Sequence, residues 1–372
     1  MSPSAHKSRV VLAMSGGVDS SVAAHLLMEA GHEIVGVFMR HGGEPEPVCS
    51  TESQLPIVTP THKQGCCSAS DAEDARRVAD GLGIPFYALN LKEDFDRIID
   101  YFVRDYSAGR TPNPCVMCNN LLKFGKLFQY ADSINAEFVA TGHYARLIRH
   151  DDQQLAIHRG VDADKDQSYV LFGVEQEFLS RMLLPIGGYR KSEIRDLAEG
   201  FGLRIANKPD SQEICFVAPG QHADFVAQRT GLDTSGEMVT SDGKVVAQHD
   251  GIERFTIGQR KGLGVAMGEP YFVVNIDADS RRVVIGRKEE LARRSLIATD
   301  VNWHAIPRTE PFSCLAQIRY NSTAEPATAF PMENRTMRVE FDEPRHGVAP
   351  GQAVVLYDGT RVLAGGWIRE TS

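Results

Sequence analysis

Apolar residues in the first part of the chain fall in short compact runs, separated by stretches in which they recur at helical spacing. The runs at 9–14, 33–39, 85–91 and 137–141 read as buried strands. The stretches at 19–30, 71–82, 93–106 and 119–134 read as amphipathic helices, with Gly31, Gly81 and Gly83 as C-terminal stops. Strands alternating with helices predict an α/β fold with a doubly wound parallel sheet, whose ligands sit beyond the carboxyl ends of the strands. Met39 and Gly142 stand at two such ends. Between Arg40 and Asp71 the periodicity lapses into a proline-containing stretch that reads as a mobile insertion, 41–70. Helical spacing returns over 191–199, and 207–216 is rich in turn formers. From about Asp233 the texture changes to short alternating runs punctuated by glycine, which predict a small central β-rich module and a C-terminal β-barrel. The expected domains are therefore 1–218, 219–290 and 291–372.

Between the first strand and the first helix lies Ser15-Gly-Gly-Val-Asp-Ser-Ser21. A glycine-rich turn at such a junction aims backbone N–H groups and the positive end of a helix at one point, which suits a phosphate. It lacks the Lys-Ser or Lys-Thr of a Walker A loop and the G-x-G-x-x-G spacing of a dinucleotide fold. Ser-Gly-Gly-x-Asp-Ser resembles instead the pyrophosphate (PP) loop of ATP pyrophosphatases, which adenylate a carbonyl oxygen and release pyrophosphate. A plain turn in which Asp19 and Ser20 cap the next helix would use the same residues.

Composition changes this picture little. Of 372 residues 42% are apolar and 24% charged, as in ordinary globular proteins. No run approaches the about 18 apolar residues of a membrane helix, and the polar start lacks a signal peptide's apolar segment, so the expected location is cytoplasmic with no membrane partner. The net charge of −9 argues against a uniformly basic nucleic-acid coat. The acid excess lies before Gly251 and the last third is near neutral, so composition alone predicts no RNA contact, and any such contact must rely on local basic clusters such as Arg281-Arg282, Arg287-Lys288 and Arg293-Arg294.

Seven cysteines without a secretion signal point to reactive thiols rather than a disulfide framework. Asn113-Pro-Cys-Val-Met-Cys-Asn119 precedes a helix pattern, which would leave Cys118 near a helix N-terminus, where the thiolate is favoured. A structural zinc half-site, a dithiol redox pair and two small buried hydrophobes remain open for the same C-x-x-C.

Seven motifs occur in order: Ser15-Gly-Gly-Val-Asp-Ser, Thr111-Pro-Asn-Pro-Cys-Val-Met-Cys-Asn, Ala140-Thr-Gly-His-Tyr, Asp164-Lys-Asp-Gln-Ser-Tyr, Asp210-Ser-Gln-Glu-Ile-Cys-Phe, Ile257-Gly-Gln-Arg-Lys-Gly-Leu and Ala349-Pro-Gly-Gln. Together they resemble the tRNA-specific 2-thiouridylases over nearly the whole chain. The resemblance implies ATP-dependent 2-thiolation of uridine at the tRNA wobble position through an O2-adenylate. Sulfur would come from a cysteine persulfide, and the spent persulfide would leave as a disulfide. It implies Cys118 as nucleophile and Cys215 as persulfide carrier. Ala13, Met14, Ser15, Gly16, Gly17, Val18, Asp19, Ser20, Met39 and Gly142 would form the ATP site, with Mg²⁺ screening the phosphates. Asn113, Pro114 and Cys115 would recognise the base. His143, Lys165, Asp166, Gln167, Arg319, Tyr320 and Gln352 would contact tRNA. The implied partners are tRNA and a sulfur-relay protein or cysteine desulfurase.

One departure stands out. Many family members carry Asp where this chain has Cys115, so a carboxylate is missing there and a third thiol, with Cys118 and Cys215, could join an iron–sulfur cluster. Two rival readings remain: an adenylating amide-forming ligase with the same loop, which needs no thiol, and a non-catalytic tRNA-binding protein with a vestigial loop.

Overall fold

A computed structural model describes residues 7–40, 69–150, 154–210, 214–218 and 220–372. The expected insertion at 41–70, apart from its last two residues, and Cys49, Cys66 and Cys67 lie outside the described residues. The chain divides into two compact units. The first comprises Met1–Arg97, Leu121–Tyr144 and Arg181–Pro219; the second comprises Ile98–Asn120, Ala145–Ser180 and Gly220–Ser372.

In the first unit β1 (Arg9–Ala13), α1 (Val18–Glu29), β2 (Glu33–Arg40), α2 (Ala69–Leu82) and β3 (Phe86–Asn90) follow the predicted alternation. α3 (Lys92–Ser107) then leads into the second unit, where α4 (Pro114–Cys118) opens a helical run. That run continues as a π-helix over Asn119–Lys126 and ends as α5 (Leu127–Ser133), back in the first unit, before β4 (Phe138–Ala140). β5 (Ala145–Arg149) and β6 (Leu155–Arg159) belong to the second unit, and β7 (Met182–Leu183) and α6 (Lys191–Gly200) complete the first. Its five strands are all parallel, in the order β3-β2-β1-β4-β7. The near-continuous apolar runs are explained by burial on both faces: Val10, Val11 and Leu12 are fully buried. Val22, Leu27 and Ile194 pack over Val10 and Leu12 in one core.

The second unit holds α7 (His222–Thr230) and the strands β8 (Gly236–Thr240), β9 (Val245–His249), β10 (Phe272–Asp277) and β11 (Arg282–Gly286), which form a sheet ordered β10-β11-β8-β9 around Val273, Val283 and Ile285. Next come β12 (Ala292–Trp303), β13 (Phe312–Gln317), β14 (Glu325–Met332), β15 (Thr336–His346), β16 (Ala353–Asp358) and β17 (Arg361–Thr371). They pair in the order β12-β15-β14-β13-β16-β17, and β17 pairs back onto β12 to close a barrel, which leaves no open edge among the six. The expected fold class, a doubly wound parallel sheet followed by β-rich and barrel modules, is the one observed.

Four expectations need correction. The run at 85–91, expected as a buried strand, is the edge strand β3 and leaves Tyr87, Ala88 and Asn90 exposed. Gly81 lies inside α2, and Gly83, with φ +67°, follows its end. The helix expected at 119–134 starts at Pro114, whose missing N–H costs nothing at a first helical position. Finally, β5 and β6, absent from the sequence reading, form a hairpin attached to β17 through His158 and Arg361, so the barrel sheet has eight strands.

Candidate active site

In the first unit, Gly16 to Ser20 cross from the carboxyl end of the central strand β1 into α1. Gly16 has φ +71°, and a Cβ there would lie 2.1 Å from the carbonyl oxygen of Asp71, so only glycine fits. Gly17 is the N-cap of α1 and offers no side chain to the first-turn N–H groups. A Cβ at Gly17 would meet only Ser15 Oγ, at 3.4 Å. The loop is braced internally: Ser15 N–H donates to Ser20 Oγ (3.2 Å) and Ser21 Oγ–H to the Gly17 carbonyl (2.9 Å). Gly142, just past β4, packs so closely that a Cβ would lie 2.9 Å from Ser20 N. Ala13, Met39 and Gly142 thus stand at the carboxyl ends of three adjacent strands, around first-turn amides that have no acceptor within their own helix.

Asp19, placed among phosphate ligands by the resemblance, uses its carboxylate within the chain. It accepts from Lys191 Nζ at 2.8 and 3.0 Å and from the Tyr144 hydroxyl at 2.6 Å. A carboxylate at a phosphate-binding helix start would repel its ligand; the paired Lys191 offsets that charge. Lys191 itself is the first residue of α6 and is 8% exposed, a buried cation at the unfavourable end of a helix. Two carboxylates compensate, Asp19 and, at 2.8 Å, Asp210. Lys208 Nζ donates to the Gly16 carbonyl (2.9 Å), Asp71 (2.7 Å) and Asp74 (2.6 Å). Sequence reasoning gave Lys191 and Lys208 no role. The signal for Lys191 was a lysine opening a predicted helix, against the usual charge preference.

His143 is buried, with Nδ1 2.7 Å from Thr141 Oγ1 and Nε2 3.4 Å from Lys123 Nζ. Burial, with Lys123 adding to it, holds its imidazole well below the usual range, so it is neutral at pH 7 and turned inward. Cys215 is half-buried, and its neighbour Phe216 packs edge-on against Phe95 of α3 at 5.4 Å.

The second unit holds the C-x-x-C segment. Asn113 caps α4, its Oδ1 accepting from Val116 N–H (3.3 Å), while its own N–H donates to the Tyr101 hydroxyl (3.1 Å). Thr111 N–H donates to the Pro350 carbonyl (2.8 Å), and Gln352 Nε2 donates to the carbonyls of Thr111 (3.0 Å) and Pro112 (3.3 Å). Tyr169, fully buried, donates to the Ala353 carbonyl (2.9 Å). Cys115 is exposed on the first turn, and Cys118, half-buried, is the last residue of that turn rather than a residue ahead of the helix.

Tyr320 is exposed. Burial of its ring, then the nearby Asp166 and Cys115, raise its phenol above the usual range, which places these three predicted residues together. Asp166 is held inside the unit by Arg159 (2.7 Å) and by the N–H groups of Gly160 and Ser168. Arg159 also donates to Gln317, whose amide holds the carbonyls of Arg319 and Tyr320. Lys165 and Gln167 flank Asp166 on the same loop, half-buried.

The arginines expected to grip phosphates are mostly engaged: Arg282 with Glu237, Arg287 with Glu269, Arg281 with Asp233, and Arg293 with the Glu290 carbonyl. Cys115 and Cys118 lie in one unit and Cys215 in the other. Among the described residues no three His, Cys, Asp or Glu side chains are placed to hold a metal ion, and no helix is long and apolar enough to cross a membrane.

Residues 8–219 match the profile described as tRNA methyl transferase HUP domain, residues 223–287 the tRNA methyl transferase PRC-barrel domain, and residues 293–368 the aminomethyltransferase beta-barrel domain. The chain is 56% identical to the tRNA-specific 2-thiouridylase MnmA of Rhodopirellula baltica, over 97% of this chain and 96% of that one. It is 46% identical to the protein of the same name from Carboxydothermus hydrogenoformans, over 98% of both chains. With that of Geobacter metallireducens it is also 46% identical, over 97% of both.

Proposed function

The chain belongs to the tRNA-specific 2-thiouridylase family, and on that premise we propose that it replaces oxygen with sulfur at C2 of the wobble uridine of tRNA, driven by ATP. The observation that carries this reading is the loop at Gly16 to Ser20. It presents glycine backbone and helix-start amides beyond the central strand, with its one carboxylate already neutralised by Lys191. That arrangement suits the pyrophosphate leaving group of an adenylation. Mg²⁺ fits as an ion carried by the nucleotide, screening its phosphates, because both Asp19 oxygens already accept from Lys191.

Uracil O2 attacks the α-phosphate, pyrophosphate departs, and O2 becomes part of an AMP leaving group. The terminal sulfur of a persulfide on Cys215 adds to C2, and AMP leaves with the former O2. The Cys118 thiolate then attacks the Cys215 sulfur, breaking the persulfide bond, leaving sulfur on C2 and forming a Cys118–Cys215 disulfide. An external dithiol returns the two electrons. A cysteine desulfurase or sulfur-relay protein reloads Cys215.

Asn113, Pro114 and Cys115 read the base, on a turn held by Tyr101, Pro350 and Gln352. Tyr320 beside Cys115 offers an exposed ring for stacking. Arg319, Lys165 and Gln167 supply polar tRNA contacts nearby. His143, Asp166 and Gln352 act by holding the site's own chain, since each is turned to partners within it.

Nucleoside mass spectrometry of tRNA incubated with the enzyme, ATP and a persulfide source tests this. 2-Thiouridine should appear, and Cys118→Ser or Cys215→Ser should abolish it while leaving tRNA-dependent pyrophosphate release. Full activity in both variants would favour a thiol-free ligase instead.

A further inference from the structure

Two side chains a few residues before Cys215 connect to the nucleotide loop, Lys208 directly and Asp210 through Lys191. Lys208 reaches the Gly16 carbonyl at 2.9 Å, and its other two bonds go to Asp71 and Asp74 at the start of α2. A lysine ammonium has three protons, and all three are used. Asp210 accepts from Lys191, which holds Asp19, and from Arg195 at 3.3 Å. Arg195 in turn donates to the carbonyls of Ala206 (2.6 Å) and Lys208 (3.3 Å), lacing this stretch to α6.

We propose that Lys208 and Asp210 are positioning residues that moor the Cys215 segment to the nucleotide loop, so that nucleotide binding and the placement of the sulfur-carrying thiol are energetically coupled. Chain length sets the radius. Cys215 is the fifth residue after Asp210, so their α-carbons lie at most about 17 Å apart. While the mooring holds, Cys215 cannot move farther than that from Asp210. Phe216 against Phe95 supplies a second, apolar hold beside it.

The burial of Lys191 raises the stakes of this chain of contacts, because removing either of its carboxylates leaves a buried cation half-compensated. Neither lysine is needed to brace the loop internally, since the Ser15–Ser20 and Ser21–Gly17 bonds do that. Their geometry instead links two places at which the proposed reaction needs groups to act in sequence: the loop that accepts pyrophosphate and the arm that brings sulfur. By reciprocity, a ligand that fixes one end of the link must bias the other.

The assignment of sulfur to Cys215 rests on the proposed thiolation, but the coupling itself can be read without it. The rate of Cys215 alkylation by iodoacetamide, followed by peptide mass spectrometry on the full chain, is measured with and without a non-hydrolysable ATP analogue. The analogue should slow alkylation about fivefold, the lower end of usual coupling. In Lys208→Met and in Asp210→Asn the protection should fall below about twofold, with Lys208→Arg intermediate. The same variants should lose more in sulfur transfer than in pyrophosphate release, a split that general destabilisation would not produce. An unchanged or faster alkylation rate in the parent protein overturns the proposal, as does undiminished protection in both variants. If no protein makes 2-thiouridine yet protection follows this pattern, the thiolation reading fails while the mooring stands.

Discussion

The nucleotide loop and the C-x-x-C turn are both sharp reversals that open a helix, yet they are held in different ways. The loop at Gly16 to Ser20 takes its shape from local features, a glycine at φ +71°, a glycine N-cap, and serine bonds spanning four or five residues, with Lys208 adding a distant bond to the Gly16 carbonyl. The turn at Asn113 is bonded locally only at the start of its helix, where Val116 N–H reaches the Asn113 side chain and Met117 N–H the Asn113 carbonyl; it is also held by Tyr101, twelve residues earlier, and by Pro350 and Gln352, far later in the chain. A motif whose shape is a local backbone requirement carries its signature in adjacent residues. A motif placed by tertiary contacts shows only a proline and a cap.

The largest break of this comparison comes at Gly16. An alanine there must adopt a left-handed backbone and displace the Asp71 carbonyl, 2.1 Å from the new Cβ. The strain is about 1–3 kcal/mol before any displacement. A loop moved by an ångström should lose about 100-fold in tRNA-dependent pyrophosphate release. Gly17→Ala, with room around it, should lose far less. Equal losses in the two variants would show that the loop is not held by its backbone shape.

A smaller effect, and one on the other side of the comparison, is expected at Gln352→Ala. Two hydrogen bonds to the carbonyls of Thr111 and Pro112 disappear, costing about 1–2 kcal/mol of stability in the second unit. Pyrophosphate release, which depends on the first unit's loop, should hold, and 2-thiouridine formation should fall about tenfold as the turn carrying Cys118 loosens. Parallel loss of both activities would mean that the two regions are not separable in this way.

The same contrast explains what could be read in advance. The parallel strands were legible because burial on both faces leaves uninterrupted apolar runs, as in Val10 to Ala13. The loop was legible because only glycine satisfies its geometry. The β5–β6 hairpin was not, because its strands interrupt the α/β segments in sequence and attach to the barrel through β17, far along the chain. Lys191 and Lys208 escaped notice because a lysine's partners are set by tertiary packing, and nothing in the sequence states that Asp19, Asp71, Asp74 and Asp210 converge on them. Gln352 stood out through family resemblance, as an RNA contact; what the sequence did not show is that its amide bonds the chain beside the C-x-x-C turn.

The smallest expected effect uses buried histidines to compare the units by pH. His304, fully buried in the barrel unit with Nε2–H donating to the Phe172 carbonyl (2.6 Å), is pushed down to about 4 by burial, and the carbonyl only partly offsets this. The unfolded chain binds the proton near pH 6.5 and the folded chain does not, so stability is full above that pH and is lost as pH falls towards 4. Between pH 7 and 6 the loss from this residue should be about 0.7 kcal/mol. His143 has the same sign in the first unit. Both tryptophans, Trp303 and Trp367, belong to the second unit, so their fluorescence in urea unfolding reports that unit. His304→Gln, which keeps a donor for the Phe172 carbonyl, should flatten the fluorescence-detected pH dependence and leave the contribution of His143 in the far-UV signal. If the variant is as pH-sensitive by fluorescence as its parent, the acid sensitivity of the barrel unit lies elsewhere, with the His150–His158 pair the next place to look, because His158 is likewise lowered to about 4, chiefly by burial.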